Sequence, residues 1–280
     1  MSTIPTSITE EQFDQHVRPY VTVAQRGYEC KISLHEVFNY ILYRYHTGCQ
    51  WNQLPIKKNE NNEPEISHDA IAYHFRKWSR DGSLARVFVG SIMTIHEQLD
   101  LSEINQDGSH ALAKKGGESV AYQRRKRAKT TNILPFTDAN GFIIASTGLV
   151  AGNHNDAWQL KSHLQAAFKF IKRLGVSIAG AFFNADSAFD TREARKTCFN
   201  HHLIPNIKEN RRNRKSPKPG PARLFDPVVY KRRFTSERTF AWIDKFRALL
   251  IRFDRLDSCF LGAHYIVFAM INLRHILASG

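Results

Sequence analysis

Apolar residues recur at helical spacing in the first third of the chain. Between residues 33 and 45 they form one stripe, made by Leu34, Val37, Phe38, Ile41 and Leu42. A second helix is predicted over residues 68–80, because Ser67 can cap its start and Asp81-Gly82 can end it. A third, more apolar helix is predicted from Leu84 to about Leu99. The pattern therefore predicts a small all-helical amino-terminal domain over residues 1–102.

The pattern changes to short extended runs after residue 102. Residues 103–109 can be extended, and strand-like runs at residues 131–137 and 142–150 flank the turn Asp138-Ala-Asn-Gly141, which predicts a hairpin. Then come a helix that reaches Leu174, a strand at residues 178–184 whose continuous apolar character is typical of burial on both faces, and a last strand at residues 203–208. Residues 103–280 are therefore predicted to form an α/β domain, a mixed sheet flanked by helices.

Residues 226–255 combine helix signals with a charged face. Asp226 can cap a helix and Pro227 suits its first position, so one helix is predicted, with a restart at Ser236 as the variant. On such a helix Tyr230, Arg233 and Glu237 share one face, where a lone carboxylate lies between cations. A solvated charged face is the alternative interpretation, since charge runs usually have that origin.

The charge of the chain is uneven. Its 280 residues include 40 Lys and Arg against 26 Asp and Glu, a formal net charge of +14, which favours a polyanionic partner. Residues 1–105 carry 10 basic and 13 acidic residues, whereas residues 106–280 carry 30 and 13. The basic excess therefore lies wholly in the second part of the chain.

Cysteine usage and the apolar runs indicate a cytoplasmic protein. The 4 cysteines have no paired spacing, which is typical of reduced thiols. Cys198 with His201 and His202 hints at metal, but no second ligand pair is present, so a structural zinc site is not predicted. The amino terminus lacks the features of a secretion signal, and the apolar run at residues 265–273 is too short to span a bilayer.

Two aspartates follow predicted strands that can lie side by side. Asp107 lies in the extended run of residues 103–109, and Asp186 follows the apolar strand. Sheets of α/β proteins carry their chemistry at the carboxyl ends of strands, and the later helix can bring Glu237 to the same place. Three carboxylates in one cleft repel one another unless hard cations bind them, so the sequence predicts Mg²⁺ or Mn²⁺.

Basic residues on the predicted helices and loops are candidate DNA contacts. In the second helix His74, Arg76, Lys77 and Arg80 suit a helix-turn-helix that reads DNA, while a bundle used for packing or dimerisation is the open alternative. Residues 114–129, with seven basic residues against Glu118, and the basic loop of residues 211–223 are expected to contact phosphates.

Several segments together resemble a known family. They are Asp107-Gly-Ser-His-Ala-Leu-Ala-Lys-Lys-Gly-Gly-Glu118, Ala151-Gly-Asn-His-Asn-Asp156, Asn184-Ala-Asp186, residues 230–245, Gly48-Cys-Gln-Trp-Asn-Gln-Leu-Pro55 and Phe75-Arg-Lys-Trp-Ser-Arg-Asp-Gly82. In this order and combination they resemble the bacterial insertion-sequence transposases of the DDE type, in the insertion-sequence-five group. The resemblance covers nearly the whole chain.

The resemblance implies a ribonuclease H-like fold with a metal-binding triad of Asp107, Asp186 and Glu237, which holds two Mg²⁺ or Mn²⁺ ions. The family signature around the glutamate is Tyr, two residues, Arg, three residues, Glu, six residues and a basic residue. Tyr230 and Arg233 match it. The last position is Asp244 here, so its role would fall to Lys245 or Arg238.

The implied function is cleavage at the ends of an insertion sequence and transfer of those ends into target DNA. The implied partners are terminal inverted repeats, target DNA and further copies of the chain, as a homodimer or larger assembly on DNA at the bacterial nucleoid. The predicted DNA contacts are Tyr230, Arg233, Arg238, Lys245, Lys114, Lys115, Arg124, Arg125, Arg76 and Lys77.

Two other functions remain open at this stage. One is a ribonuclease H-like nuclease that cuts DNA without joining it, and the other is a DNA-binding protein without catalysis. A serine or tyrosine recombinase is not predicted, because Ser109 and Tyr230 lack the surrounding arginine and histidine set.

Overall fold

The chain divides into two compact units. The computed structural model describes residues 4–23, 29–155, 157–210 and 223–278. Unit 1 comprises Met1–Ile95, Ala111–Val120 and Ala241–Gly280, and unit 2 comprises His96–His110 and Ala121–Phe240. Unit 1 thus includes the carboxyl-terminal segment, which the sequence-based boundary after residue 102 assigns to the catalytic domain. That functional division remains a prediction.

Helices and short strands alternate along the described residues. The helices are α1 (Glu10–His16), α2 (Leu34–Thr47), α3 (His68–Arg80), α4 (Ser83–Thr94), α5 (Leu160–Arg173), α6 (Arg192–Asn200), α7 (Pro227–Lys231), α8 (Phe234–Ile243), α9 (Arg247–Leu250), α10 (Asp257–Asn272) and α11 (Arg274–Leu277). The strands are β1 (Glu103–Gln106), β2 (Ser109–Ala113), β3 (Ala121–Gln123), β4 (Ala128–Ile133), β5 (Pro135–Thr137), β6 (Ile143–Ser146), β7 (Val150–Ala151), β8 (Phe182–Ala185), β9 (Ile204–Ile207) and β10 (Ile251–Arg252).

Unit 1 is mainly helical. Ser67 caps α3 as predicted, and Ser33 caps α2 in the same way, because each hydroxyl accepts a hydrogen bond from the backbone amide three residues on. The third predicted helix is shorter than expected: α4 ends at Thr94, whose hydroxyl donates to the Gly90 carbonyl at 2.9 Å, and a separate turn follows. Within the described residues no helix has the length and apolar character needed to cross a membrane.

Helix α10 forms the centre of unit 1 and was not predicted. It packs against α3 and α4, and its side chains are buried on nearly all sides. A helix that is apolar all round has no apolar stripe, so the periodic signal that revealed α2 and α3 is missing. Phe88 of α4 stacks on Tyr265 of α10, with ring centroids 5.5 Å apart.

Unit 2 is built on a mixed sheet with the strand order β6-β5-β1-β8-β9. Strands β1, β5 and β6 are antiparallel neighbours, whereas β8 and β9 run parallel to β1. Three antiparallel strands followed by two that are parallel to the first make the predicted ribonuclease H-like sheet. The predicted α/β class is therefore confirmed.

Some predicted strands are divided or shortened. The run at residues 131–137 is two strands, β4 and β5, in different sheets. The break lies at Leu134, whose amide donates to the Thr147 hydroxyl at 3.1 Å, and the next residue is Pro135, which has no amide hydrogen. Residues 142–150 divide likewise into β6 and β7, and β8 begins only after Gly180, which adopts a φ of 82°.

The two faces of this sheet differ in chemistry. One face packs against α5 and α6 and is mainly apolar, with Ile104, Phe136 and Phe183 in the same buried cluster as Phe168. Side chains alternate along a strand, so the residues between these belong to the other face. They are Glu103, Asn105, Thr137, Asn184 and Asn206, and all are buried. The sheet therefore has an apolar face and a buried polar face.

The predicted turn between β5 and β6 is held by a buried carboxylate. Asp138 is 0% exposed and accepts hydrogen bonds from the Phe142 amide at 2.8 Å and the Asp100 amide at 2.9 Å. Burial raises the pKa of Asp138 to about 6, against an ordinary value of 3.8, although these backbone donors oppose the shift.

The raised pKa of Asp138 should make unit 2 less stable as the pH rises. The protonated carboxyl favours the folded state below the unfolded pKa, and this contribution is lost as pH rises through about 6. We expect the free energy of unfolding to fall by about 2 kcal/mol between pH 4 and pH 7 from this group. Denaturant unfolding of the wild type and Asp138→Asn measures it, and an identical pH dependence in both proteins would contradict it.

Candidate active site

The structure places the two predicted aspartates at neighbouring strand ends. Gln106 of β1 pairs with Ala185 of β8 in a parallel register, and Asp107 and Asp186 follow directly. The side chain of Asp107 is 29% exposed, while Asp186 is exposed and caps a short turn over Ser187–Phe189. The predicted placement of both carboxyl groups at the carboxyl end of adjacent strands is therefore confirmed.

Arg233 forms an ion pair with one of these aspartates. Its guanidinium donates to Asp107 Oδ2 at 2.6 Å, and it lies 5.7 Å from the ring centroid of Tyr230. Burial alone would lower the pKa of Arg233, but Asp107, with smaller contributions from Tyr230 and Asp186, makes the net pKa higher than usual. Burial raises the pKa of Tyr230, and Asp186 and Asp107 raise it further against Arg233. Tyr230, Arg233 and both aspartates thus form one electrostatic cluster.

Glu237 lies on a separate helix. The uninterrupted helix is wrong, because α7 ends at Lys231 and α8 begins at Phe234; the predicted variant with a restart is closer, although it placed the restart at Ser236. Arg232 and Arg233 lie at the break, and their side chains reach Glu103 and Asp107 of the sheet. Glu237 is exposed in the first turn of α8. Over the described ranges no three His, Cys, Asp or Glu side chains are arranged to hold a metal ion, so the predicted triad is not assembled in this structure.

Helix α8 is anchored to the turn that Asp138 holds. Thr239 Oγ1 donates to the Gly141 carbonyl at 3.1 Å, and Arg238 donates to the Asn140 carbonyl at 3.2 Å. Arg238 was predicted to contact DNA or to replace the basic residue missing at Asp244. In this structure its guanidinium contacts protein while the residue is exposed, so both roles stay predictions.

A row of four buried polar residues, three of them asparagines, lies near the aspartates and was not predicted from the sequence. Thr137, Asn105, Asn184 and Asn206 are successive register partners across four strands and are at most 2% exposed. We call them the polar row. The repeated spacing Asn105-Gln-Asp107 and Asn184-Ala-Asp186 was the available signal.

Two family models match the chain. A family described as "Putative transposase of IS4/5 family" matches residues 8–88, and one described as "Transposase DDE domain" matches residues 183–274. Together they match more than half of the chain, and the second includes Asp186 and Glu237. The chain belongs to the DDE transposases of insertion sequences. Enzymes of this family use divalent metal ions, so the transposase is a metal-dependent enzyme that acts on DNA.

Solved structures give only weak likeness. A Mos1 transposase paired-end complex with left transposon end is 12% identical at a TM-score of 0.29, covering 87% of this chain and 78% of that one. The Mos1 strand transfer complex is 11% identical at a TM-score of 0.31, covering 88% and 78%. No curated protein matches the transposase. The family assignment rests on the two family models.

The transposase presents a basic hairpin in unit 2. Strands β3 and β4 pair antiparallel, and Arg124, Arg125, Lys126 and Arg127 form an exposed tip between them. Tyr122 is 55% exposed and pairs in register with exposed Lys129. The hairpin was predicted only as a basic loop. Its exposed tip nevertheless has the character that phosphate contacts require, as expected for Arg124 and Arg125.

Basic residues of unit 1 differ in their availability. Lys114, Lys115, Arg76 and Lys245 are exposed. Lys77 is not available in this structure, because its ammonium donates to the Thr22 hydroxyl at 2.6 Å and carbonyl at 3.0 Å and lies 3.8 Å from Asp81. Lys77 therefore contacts protein groups in this structure, and its contact with DNA stays a prediction.

The remaining candidates have structural surroundings. Of the basic loop, residues 211–222 lie outside the described residues, and Arg223 pairs with Asp190 together with Arg195. Burial raises the pKa of the Cys198 thiol to about 12, which disfavours the thiolate that a metal needs. The His154 ring stacks on Trp158 at 4.0 Å, and Asp156 of the same motif lies outside the described residues.

Proposed function

We propose that this transposase cuts the ends of an insertion sequence and joins them to target DNA, with Asp107, Asp186 and Glu237 as its catalytic carboxylates. The observation that carries the proposal is the parallel register of β1 and β8, which sets Asp107 and Asp186 side by side. The helix that carries Glu237 follows directly after Arg233, which already reaches Asp107. The proposed DNA partners are terminal inverted repeats and target DNA.

The donor chemistry of the site fits a hard divalent cation. Its candidate ligands are carboxylate oxygens, which Mg²⁺ and Mn²⁺ prefer. The ion pair between Arg233 and Asp107 supports this assignment, because it places a positive charge beside the proposed ligand. Two such ions would activate the attacking oxygen and stabilise the leaving oxygen. Glu237, which is exposed in the first turn of α8, would supply the third carboxylate.

Residues around the carboxylates have the chemistry to position DNA. Arg233 offers a planar set of donors that matches a phosphate, and Tyr230 lies beside it with its hydroxyl near both aspartates. Exposed Arg124 and Arg125 supply further phosphate contacts on the hairpin. Two DNA ends must be held at once for joining, so we propose a dimer or larger assembly on DNA.

Cleavage and joining of labelled element-end DNA in Mg²⁺ tests this function. The wild type should produce both a cut strand and a product joined to target DNA. Cutting without joining would instead support a ribonuclease H-like nuclease. Tight DNA binding with neither product would support a DNA-binding protein without catalysis, and each of these results would overturn the proposal.

Neutralising the hairpin tip should weaken DNA binding at all sequences. The double variant Arg124→Gln/Arg125→Gln loses two proposed phosphate contacts, so the slope of log K against log salt should become shallower by about 2. Fluorescence anisotropy measures DNA binding at salt concentrations from about 50 to about 200 mM and provides the slope. The double variant Lys172→Gln/Arg173→Gln, at the exposed end of α5, is the matched control. Equal slopes in both variants would exclude the hairpin as a phosphate contact.

A further inference from the structure

The polar row crosses the centre of a buried sheet, where side chains are usually apolar. Asn105 and Asn184 are 0% exposed, and Asn206 is 1% exposed. A buried amide costs free energy unless its polar atoms are hydrogen-bonded. An apolar side chain of similar volume would fill the same space without that requirement. Core packing alone therefore does not account for the row.

Hydrogen bonds join the three asparagines across β1, β8 and β9. Asn206 Nδ2 donates to Asn184 Oδ1 at 2.8 Å, and Asn184 Nδ2 donates to Asn105 Oδ1 at 2.9 Å. Asn184 Nδ2 also donates to Glu103 Oε2 at 3.1 Å. These bonds add to the backbone ladder and oppose any slip of one strand past its neighbour, which would move every side chain to the other face.

Asn105 and Asn184 each lie two residues before one of the aspartates. Asn105 precedes Asp107 by two residues, and Asn184 precedes Asp186 by two residues. Side chains two residues apart lie on one face of an extended chain. The hydrogen bond between Asn105 and Asn184 therefore helps to fix the register of β1 and β8, and with it the position of Asp107 relative to Asp186.

The outer asparagine connects the row to the next helix. Asn206 Oδ1 accepts from the Asp226 amide at 2.8 Å, and Asn206 Nδ2 donates to the Asp226 carbonyl at 3.0 Å. The Asp226 carboxylate in turn caps α7, the helix that bears Tyr230. Glu103 Oε1 lies 3.1 Å from Arg232 Nε, an ion pair that is not aligned for a hydrogen bond.

We propose that Asn184 is a positioning residue, which keeps β1 and β8 in register so that Asp107 and Asp186 lie side by side and together bind a divalent cation. In the same proposal, Asn206 sets the position of α7 relative to these two aspartates. The inference rests on the proposed function, because it assigns the two aspartates to the metal. It adds two residues that contact neither metal nor DNA. Partners of this kind typically change metal affinity by about 10- to 100-fold.

Mn²⁺ binding to the full chain without DNA, measured by electron paramagnetic resonance, tests the role of Asn184. Asn184→Leu keeps the volume and Asn184→Ala leaves room for water, while both lose the bond to Asn105. We expect each to raise the Kd for Mn²⁺ by about tenfold or more. Asn272→Ala is the matched control: Asn272 is a 0% exposed asparagine of α10 in unit 1 that donates to Ser91 at 3.1 Å. Its Kd should stay within about threefold of the wild type.

Asn206→Ala separates the two parts of the inference. It keeps the bond between Asn184 and Asn105, so the Kd for Mn²⁺ should remain within about threefold of the wild type. The position of α7 changes instead, so kcat for strand cleavage should fall by about tenfold with little change in KM. Unchanged kcat in this variant would overturn the role of Asn206.

Circular dichroism shows which of Asn184→Leu and Asn184→Ala is folded at the assay temperature, and that variant is used for the comparison. Equal Mn²⁺ affinity in that variant and in Asn272→Ala would overturn the role of Asn184. If the wild type and Asp107→Asn bind Mn²⁺ with the same Kd, the proposed metal site is overturned, and the inference with it. The two failures are therefore distinguishable.

Discussion

Glu237→Gln should lower the rate of DNA strand cleavage by about a thousandfold or more, which corresponds to about 4 kcal/mol of transition-state stabilisation. The substitution keeps the shape of the side chain but removes its negative charge, and a neutral amide is a poor ligand for Mg²⁺. Glu237 is exposed in the first turn of α8, so the fold should not depend on it. Cleavage of labelled element-end DNA under single-turnover conditions measures the effect.

Glu193→Gln is the matched control for this experiment. Glu193 is also exposed and also lies in the first turn of a helix, α6 of the same unit. Its cleavage rate should stay within about twofold of the wild type. DNA affinity should be similar in both variants, because neither residue is a proposed phosphate contact. Comparable rates for Glu237→Gln and Glu193→Gln would remove Glu237 from the catalytic set.

Gly152→Ala should destabilise unit 2 by about 3 kcal/mol, the upper range for overpacking. A Cβ atom at this position would lie 2.0 Å from Thr130 Oγ1, 2.6 Å from the Thr130 carbonyl oxygen and 2.9 Å from the Ala121 carbonyl oxygen. Two of these atoms are backbone at the base of the β3–β4 hairpin and have little freedom to move. The Gly152 amide also donates to the Thr130 carbonyl at 3.0 Å. Denaturant unfolding measures the loss.

Gly148→Ala provides the comparison for Gly152→Ala. A Cβ atom at Gly148 meets no atom within 4 Å. Its free energy of unfolding should change by no more than about 0.5 kcal/mol. The hairpin should also bind DNA less well in Gly152→Ala, because its base has to shift. Equal stability of the two variants would show that the close approach at Gly152 is not a constraint.

The placement of Asp107 and Asp186 was predictable from sequence, because it depends only on where two strands end and on their lying parallel as neighbours. Each follows a short extended run, and strands that are parallel neighbours end at the same edge of a sheet. The polar row was not predictable in the same way. Asn105, Asn184 and Asn206 become neighbours only through the register of three strands, and no local pattern states that register.

The break between α7 and α8 also has a tertiary cause. Residues such as Arg232 and Arg233 are good helix formers, so local propensity predicts that the helix continues through them. In the structure they pair with Glu103 and Asp107, which lie on a sheet strand and directly after it. Intrinsic preferences of a few tenths of a kcal/mol are easily outweighed by such contacts. The family signature named residues of this segment but did not predict the break in the helix that carries them.

In the proposed metal site, Arg233 would compete with the cation for Asp107, because the two residues form an ion pair in the structure. A cation that binds Asp107 has to exchange with a guanidinium 2.6 Å away, so its apparent affinity is lower than that of the same carboxylates without Arg233. A DNA phosphate offers Arg233 another partner and removes the competitor. By thermodynamic reciprocity, DNA then strengthens cation binding by the same factor by which the cation strengthens DNA binding. If Asp107 binds metal as proposed, we expect the enzyme without DNA to bind the cation more weakly than the enzyme with DNA bound.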